Sequence, residues 1–207
     1  MCKAFSCIIA KSGKVYWKAG KDSHEYIKQL FKLSDLKADA DFVCIEITPK
    51  DGRYLYPDRD WILRFDNKSY KAPDWWKASH DKASFEALKK WKKEVYSLIN
   101  LEEARNPVHP FKLPERKPTK SDIRLLKKWD SVRDSVRDSV GGSVWDSVGG
   151  YASCIFKIRF KFDFSCCVKL WKRGLVPSFD GHIWRLHSGE KAKIVFEINK
   201  EDLQRYE

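Results

Sequence analysis

Residues 129–150 carry a tandem four-residue repeat, and no other feature restricts the chain's folding options as much. Trp129-Asp130-Ser131-Val132, Arg133-Asp134-Ser135-Val136, Arg137-Asp138-Ser139-Val140, Gly141-Gly142-Ser143-Val144 and Trp145-Asp146-Ser147-Val148 run on into a degenerate Gly149-Gly150-Tyr151-Ala152. A strand would set Asp and Val on one face, and burying a column of carboxylates is expensive. In a helix each Val lies beside the first residue of the next tetrad, and the serines form a ridge of small side chains. Four residues turn the chain by about 400°, so the stripe drifts about 40° per tetrad and implies right-handed coiling around a partner. Ser, Val, Asp and Gly are indifferent or poor helix formers, so packing has to hold such a helix. The repeat therefore predicts a helix–helix contact between identical chains through Ser131, Val132, Ser135, Val136, Ser139, Val140, Ser143, Val144 and Trp145. The alternative is a contact within the chain, against the helix expected over 79–100. Asp130 with Arg133, and Asp134 with Arg137, stand at i,i+3 spacing for ion pairs.

The rest of the chain reads as an α+β fold of antiparallel sheet elements and two long helices, one of them built from the repeat. Residues 3–10 and 14–18 read as paired strands around Lys11-Ser12-Gly13. A capping pattern at Asp22–Glu25 opens a short helix, and Phe42–Thr48 and Trp61–Phe65 are strand-like. Phe85, Leu88, Trp91, Val95 and Leu98 recur at helical spacing. Pro107, Pro110, Pro114 and Pro118 predict an extended connector. From Cys154 to Phe164 apolar and charged residues alternate, which predicts a half-buried strand. A helix over Cys166–Arg173, ended by Gly174, and strands over His182–His187 and Lys193–Ile198 complete the chain. The implied parts are an N-terminal α+β region (1–104), the connector (105–118), the repeat helix (119–150) and a β-rich C-terminal region (151–207).

Lys and Arg number 41 against 29 Asp and Glu, a formal charge of +12 that favours anionic partners. Because the lysines are scattered, a soluble protein with a Lys-rich exterior explains them as well. The six cysteines form no CxxC pair and no zinc spacing with the five histidines, so neither a metal nor another cofactor is expected. Thiols of this kind suit a reducing, cytoplasmic compartment. No apolar run is long enough to span a membrane. Walker, dinucleotide-binding, HExxH and GxSxG motifs do not occur.

Two loops combine Arg, aromatic residues and Asp around turn residues: 49–61 and 174–187. Arg forks hold phosphates and aromatic faces stack bases, which singles out Arg53, Tyr54, Trp184 and Arg185 as ligand contacts, although these aromatics serve equally as caps on a core. Cys2 is a candidate N-terminal nucleophile, its own α-amino group acting as base once Met1 is removed.

Met1–Cys7 (Met-Cys-Lys-Ala-Phe-Ser-Cys), the Glu46-Ile-Thr-Pro-Lys50 segment, the Asp-Ser-Val tetrads and Gly174-Leu-Val-Pro-Ser-Phe-Asp-Gly181 together resemble uncharacterised phage and metagenome proteins in which the number of (Trp/Arg)-Asp-Ser-Val tetrads varies. The likeness spans most of the chain and departs from it after Gly150, at the Phe-rich segment. It implies a phage-type accessory protein acting in the host cytoplasm, and it supplies no site residues. With the basic charge and the aromatic content, it leads to the expectation of a non-enzymatic oligomer that sequesters an anionic, nucleotide-like small molecule, such as a host immune signal. Two other classes stand beside it: a hydrolase using Cys2, and a module binding nucleic acid or a host protein.

Overall fold

A computed structural model describes residues 5–136 and 143–206, with side chains for all of these except 134–136 and 143–145. The chain divides into two compact units, Met1–Leu98 and Ile99–Glu207. Both are mixed α and β with antiparallel sheets.

In the first unit, β1 (Phe5–Ala10), β2 (Val15–Tyr16), α1 (His24–Leu30), β3 (Phe42–Pro49), β4 (Trp61–Phe65) and α2 (Ala78–Ser97) follow in order. The strands form one antiparallel sheet in the order β2-β1-β3-β4. All six residues of β1 are buried because each face of the strand meets a helix. Phe5, Cys7 and Ile9 point to Ala87, Leu88 and Trp91 of α2, whereas Ile8 packs with Ile27 of α1, Leu33 and Phe42. Period two along the strand thus serves two separate apolar layers.

The second unit contains α3 (Leu101–Arg105), a 3-10 turn at Pro110–Lys112, α4 (Lys120–Val136), α5 (Ser143–Ala152), a second 3-10 turn at Ser153–Ile155 and α6 (Ser165–Lys172). The strands β5 (Val176–Phe179), β6 (Ile183–Ser188) and β7 (Lys193–Asn199), then α7 (Lys200–Arg205), complete it. The sheet runs β5-β6-β7, with a register shift between Leu186 and His187. Ile123, Leu126 and Trp129 of α4 meet Cys167 and Leu170 of α6, Trp184 and Leu186 of β6, and Leu203 of α7 in one core. Gly174, at φ +76°, lets the chain leave α6 and enter β5.

Three expectations change. The unit boundary falls at 98/99, not among the prolines, because the Pro-rich stretch is fastened to the second unit. The Val108 N–H donates to the Tyr151 hydroxyl (2.7 Å), Trp171 Nε1 donates to the Val108 carbonyl (2.8 Å), and Pro110 is buried. The strand expected over 154–164 does not form. Asn100 N–H reaches the Ile155 carbonyl, and Phe156 makes an isolated bridge to Ile99, but no ladder follows. Alternation of side chains is not enough for a strand without a backbone partner, and Phe160 and Phe164 turn to each other and to Trp129 instead.

The repeat supplies the end of α4 and the start of α5; residues 137–142 lie outside the described ones. Arg133 Nε donates to Asp146 Oδ2 at 2.7 Å. Thirteen residues along one straight helix would separate these groups by roughly 20 Å, so α4 and α5 are distinct helices brought together by that pair.

Candidate functional site

The core-facing stripe of α4 starts apolar, with Ile123, Leu126 and Trp129, and turns charged one turn later. Asp130 and Arg133 are 1% and 9% exposed. Burial of charge is tolerable only with partners, and both have them. Asp130 accepts from Trp184 Nε1 (2.9 Å) and from the Gln204 amide, with the Lys200 ammonium 3.6 Å away. Arg133 pairs with Asp146, and its guanidinium lies 5.0 Å from the Phe179 ring centroid and 5.7 Å from that of Trp184. The expected i,i+3 pairing of Asp130 with Arg133 gives way to these contacts across the core.

Two donors are left over. Trp129 Nε1 and Arg133 Nη1 are buried and meet no acceptor among the described residues. An unmatched buried donor costs about 1–3 kcal/mol. Trp129 and Arg133 stand four apart on one helix face and line the same cavity of about 220 Å³. Asp146, Gly149 and Gly150 of α5 form a second wall, and Phe156, Phe160 and Phe164 a third. The two glycines differ. A Cβ on Gly150 would stand 2.8 Å from Cys167 Sγ and 3.1 Å from the Trp129 ring, so this glycine permits α5 to approach α6. A Cβ on Gly149 would meet nothing within 4 Å.

A second hollow of about 330 Å³ shares Ser153, Phe160 and Phe164 with the first and adds Ser165 and Lys169. The α6 N-terminus there is already served: Asp163 accepts from the Ser165 N–H (2.9 Å) and hydroxyl (3.0 Å). These bonds, the backbone one foremost, hold its carboxyl below the usual range. Between the Phe residues of the cavity wall, Lys157, Arg159 and Lys161 are exposed.

Neighbouring polar clusters fix the walls. Asp122, fully buried, accepts from Arg116 (2.6 Å), Arg173 (2.7 Å) and both the N–H and hydroxyl of Thr119 (2.8 Å each). Burial opposes its charge, but the Thr119 N–H, Arg173, the Thr119 hydroxyl and Arg116 together hold its carboxyl below the usual range. Glu103, likewise against a burial penalty, is kept low by bonds from Lys172 and the Tyr151 hydroxyl. Tyr151 stacks on Trp171 at 5.1 Å, and burial, followed by its bond to Glu103, pushes its hydroxyl up to about 12.

The residues singled out from sequence lie in different units, and none of them lines the cavity. Arg53 and Tyr54 belong to the first unit. Arg53 N–H donates to Asp51, and the Tyr54 carbonyl accepts from the Tyr96 hydroxyl. Trp184 and Arg185 belong to the second. Trp184, 1% exposed, is stacked on Phe179 at 4.8 Å and offers no face to a ligand. Arg185 is held by Asp180 (2.6 Å) and Glu197 (2.7 Å). Cys2 lies outside the described residues, as do Ser139 and Val140 of the repeat. Ser135, Val136, Ser143, Val144 and Trp145 fall within α4 and α5, but their side chains are not described. Of the repeat's other interface candidates, Ser131 is exposed and Val132 packs on the core of its own unit. The Ser ridge splits: Ser147 is fully buried and donates to the Pro177 carbonyl at 2.7 Å.

Sequence reasoning passed over the cavity residues. Trp129 and Arg133, the first residues of successive tetrads, carried the signal: an aromatic and a cation four apart form one helical stripe. One other pair has a catalytic look. Ser178 Oγ and His187 Nε2 are 2.7 Å apart, and His187 Nδ1 is 3.1 Å from the Ala192 carbonyl. Neither residue lines the two hollows, and the bond ties β5 to β6. No helix among the described residues is long and apolar enough to cross a membrane, and no metal-binding cluster occurs among them. Compared with known protein families, with curated proteins and with solved structures, the chain matches none.

Proposed function

We propose that the protein is a non-enzymatic binder that sequesters an anionic, nucleotide-like small molecule in the cavity of the second unit. The observation that carries the reading is a cavity walled by Phe156, Phe160 and Phe164 beside Trp129 and Arg133. Phe156, Phe160 and Phe164 suit a flat ring, since aromatic stacking contributes about 1–3 kcal/mol per base. A cavity of about 220 Å³ takes a base and not a polyphosphate. The phosphates would lie outside it, near Lys157, Arg159 and Lys161, where their charge stays partly solvated. The basic balance of the whole chain supports the same sign of ligand.

A phage-type accessory protein with this site would act by holding a host nucleotide signal in the cytoplasm. The unit packs Val132 inward, so assembly between chains would use surface other than that side chain; self-association through the repeat is tested by light scattering on wild type and a tetrad deletion. The binding reading itself is tested by heating the purified protein and analysing the supernatant by mass spectrometry. A released nucleotide in about one-to-one amount is the expected result. A supernatant without nucleotides, from several expression hosts, together with no binding of added nucleotides, would overturn it.

A further inference from the structure

We infer that the exposed side of the segment Phe156–Phe164 docks the protein on an anionic phospholipid surface. The inference goes beyond the nucleotide reading and does not depend on what the cavity holds. Apolar side chains scattered singly over a surface are ordinary. Here two of them alternate with cations in one short stretch. Phe156 and Ile158 are each 47% exposed. Lys157 and Arg159, which follow them in turn, are exposed and have neither an ion-pair nor a hydrogen-bond partner among the described residues. Beyond the isolated bridge of Phe156 to Ile99, no strand ladder ties this backbone down among the described residues. Asp163 is the one acid of the segment, and its oxygens already accept from Ser165. The exposed Lys169 and Lys128 lie close enough to Asp163 to act on its charge, so the surroundings are positive as well.

A lipid surface matches both halves of this pattern. Its anionic headgroups attract Lys and Arg, and the acyl boundary beneath them takes up apolar side chains. Long cationic side chains reach the headgroup level while their neighbours enter deeper. The attraction that would place Lys157 and Arg159 beside a nucleotide's phosphates serves a lipid phosphate equally. Nucleic acid would match the charge, but it is held by open ring faces on which bases stack. Lys161 Nζ lies over the Phe162 ring at 5.2 Å, and Phe160 and Phe164 are turned to each other at 5.6 Å. Ile158, one of the two most exposed apolar groups of the segment, is aliphatic and has no ring to stack. An aliphatic group between two unpartnered cations suits hydrocarbon beneath a layer of phosphate.

The test is co-sedimentation of the full-length protein with vesicles of phosphatidylcholine alone and of phosphatidylcholine mixed with phosphatidylserine. Partitioning onto the mixed vesicles should be about tenfold stronger or more, and added salt should weaken it. Ile158→Asp should cut it about tenfold, and Ile158→Leu should preserve it, both with native circular dichroism because the side chain is half exposed. Lys157→Glu combined with Arg159→Glu should remove the preference for phosphatidylserine. Gly149→Leu fills the cavity from its α5 wall, at a position where a Cβ meets no atom within 4 Å, and should bind vesicles as wild type does. Docking and nucleotide binding are thereby read separately. Binding to neither vesicle, equal binding to both, or binding that Ile158→Asp leaves intact would overturn the docking surface. Binding of single-stranded oligothymidylate that Ile158→Asp abolishes, without binding to vesicles, would overturn it in favour of nucleic acid.

Discussion

The first unit closes its sheet between α1 and α2 with aliphatic and aromatic side chains, and its buried polar residues are Ser6, Thr48, His80 and Ser84. The second unit buries Asp122, Asp130 and Arg133 within and around an apolar core of similar make-up. The apolar layers alone explain how each unit folds. The charged groups of the second explain more: each demands a partner at a fixed place, and together they set α4, α5, α7 and the sheet in one arrangement. Among the described residues, Trp129 Nε1 and Arg133 Nη1 stay unmatched there, as Ser6 Oγ and Trp61 Nε1 do in the first unit, and Trp129 and Arg133 also line the Phe-walled cavity.

The sharpest way to break the contrast is to remove a buried charge. Asp122→Ala removes the acceptor that holds Thr119 at the start of α4 and bonds to two arginines. The arginines are partly exposed and can rehydrate, so a loss of roughly 3 kcal/mol is expected. Hydrogen exchange read by mass spectrometry should place this loss in peptides of the second unit; loss spread equally over both would undo the distinction. Acidification should act in the same direction. Asp122 and Glu103 have folded-state pKa values below their ordinary 3.8 and 4.5. Their contribution is complete above the ordinary values and disappears as pH falls through the lowered folded ones. Below about pH 4.5 the second unit should therefore lose protection first, the first unit burying no carboxylate among the described residues.

The adjacent glycines give a smaller, two-signed test. Gly150→Ala places a methyl against Cys167 and Trp129 and should cost about 1–3 kcal/mol. Gly149→Ala meets open space within a helix and should stabilise by up to about 1 kcal/mol; urea titrations distinguish the two. Ser178→Ala ranks last. A bond that only ties β5 to β6 should contribute about 1 kcal/mol to stability, and the variant should bind nucleotides as wild type does.

Most elements were legible in the sequence because their patterns coincide with their packing. The strand β1, the Leu88 and Trp91 part of the α2 stripe and the stop at Gly174 follow from residue spacing, whereas Phe85 and Leu98 of that stripe are exposed. The failures share one cause: local periodicity does not reveal which partner a surface meets. Phe156–Phe164 alternates like a strand, yet no strand edge takes up its backbone; Phe164 packs on Trp129 and Phe160 on Phe164. The Asp positions of the repeat argued against a strand because burying carboxylates is expensive. In the helices Asp130 is buried all the same, and Trp184, Gln204 and Lys200, distant in sequence, make that tolerable. The four candidate contacts on loops were chosen for residue type, but Trp184 and Arg185 are already occupied by the fold itself.

The central claim is that the Trp129–Arg133 cavity receives a ligand, and calorimetry on wild type and Gly149→Leu with guanosine 5′-monophosphate tests it most directly. The account predicts one site per chain in the wild type, weakened by added salt as the phosphate's cationic neighbours are screened, and no heat of binding in the variant. Equal binding by both proteins would contradict it.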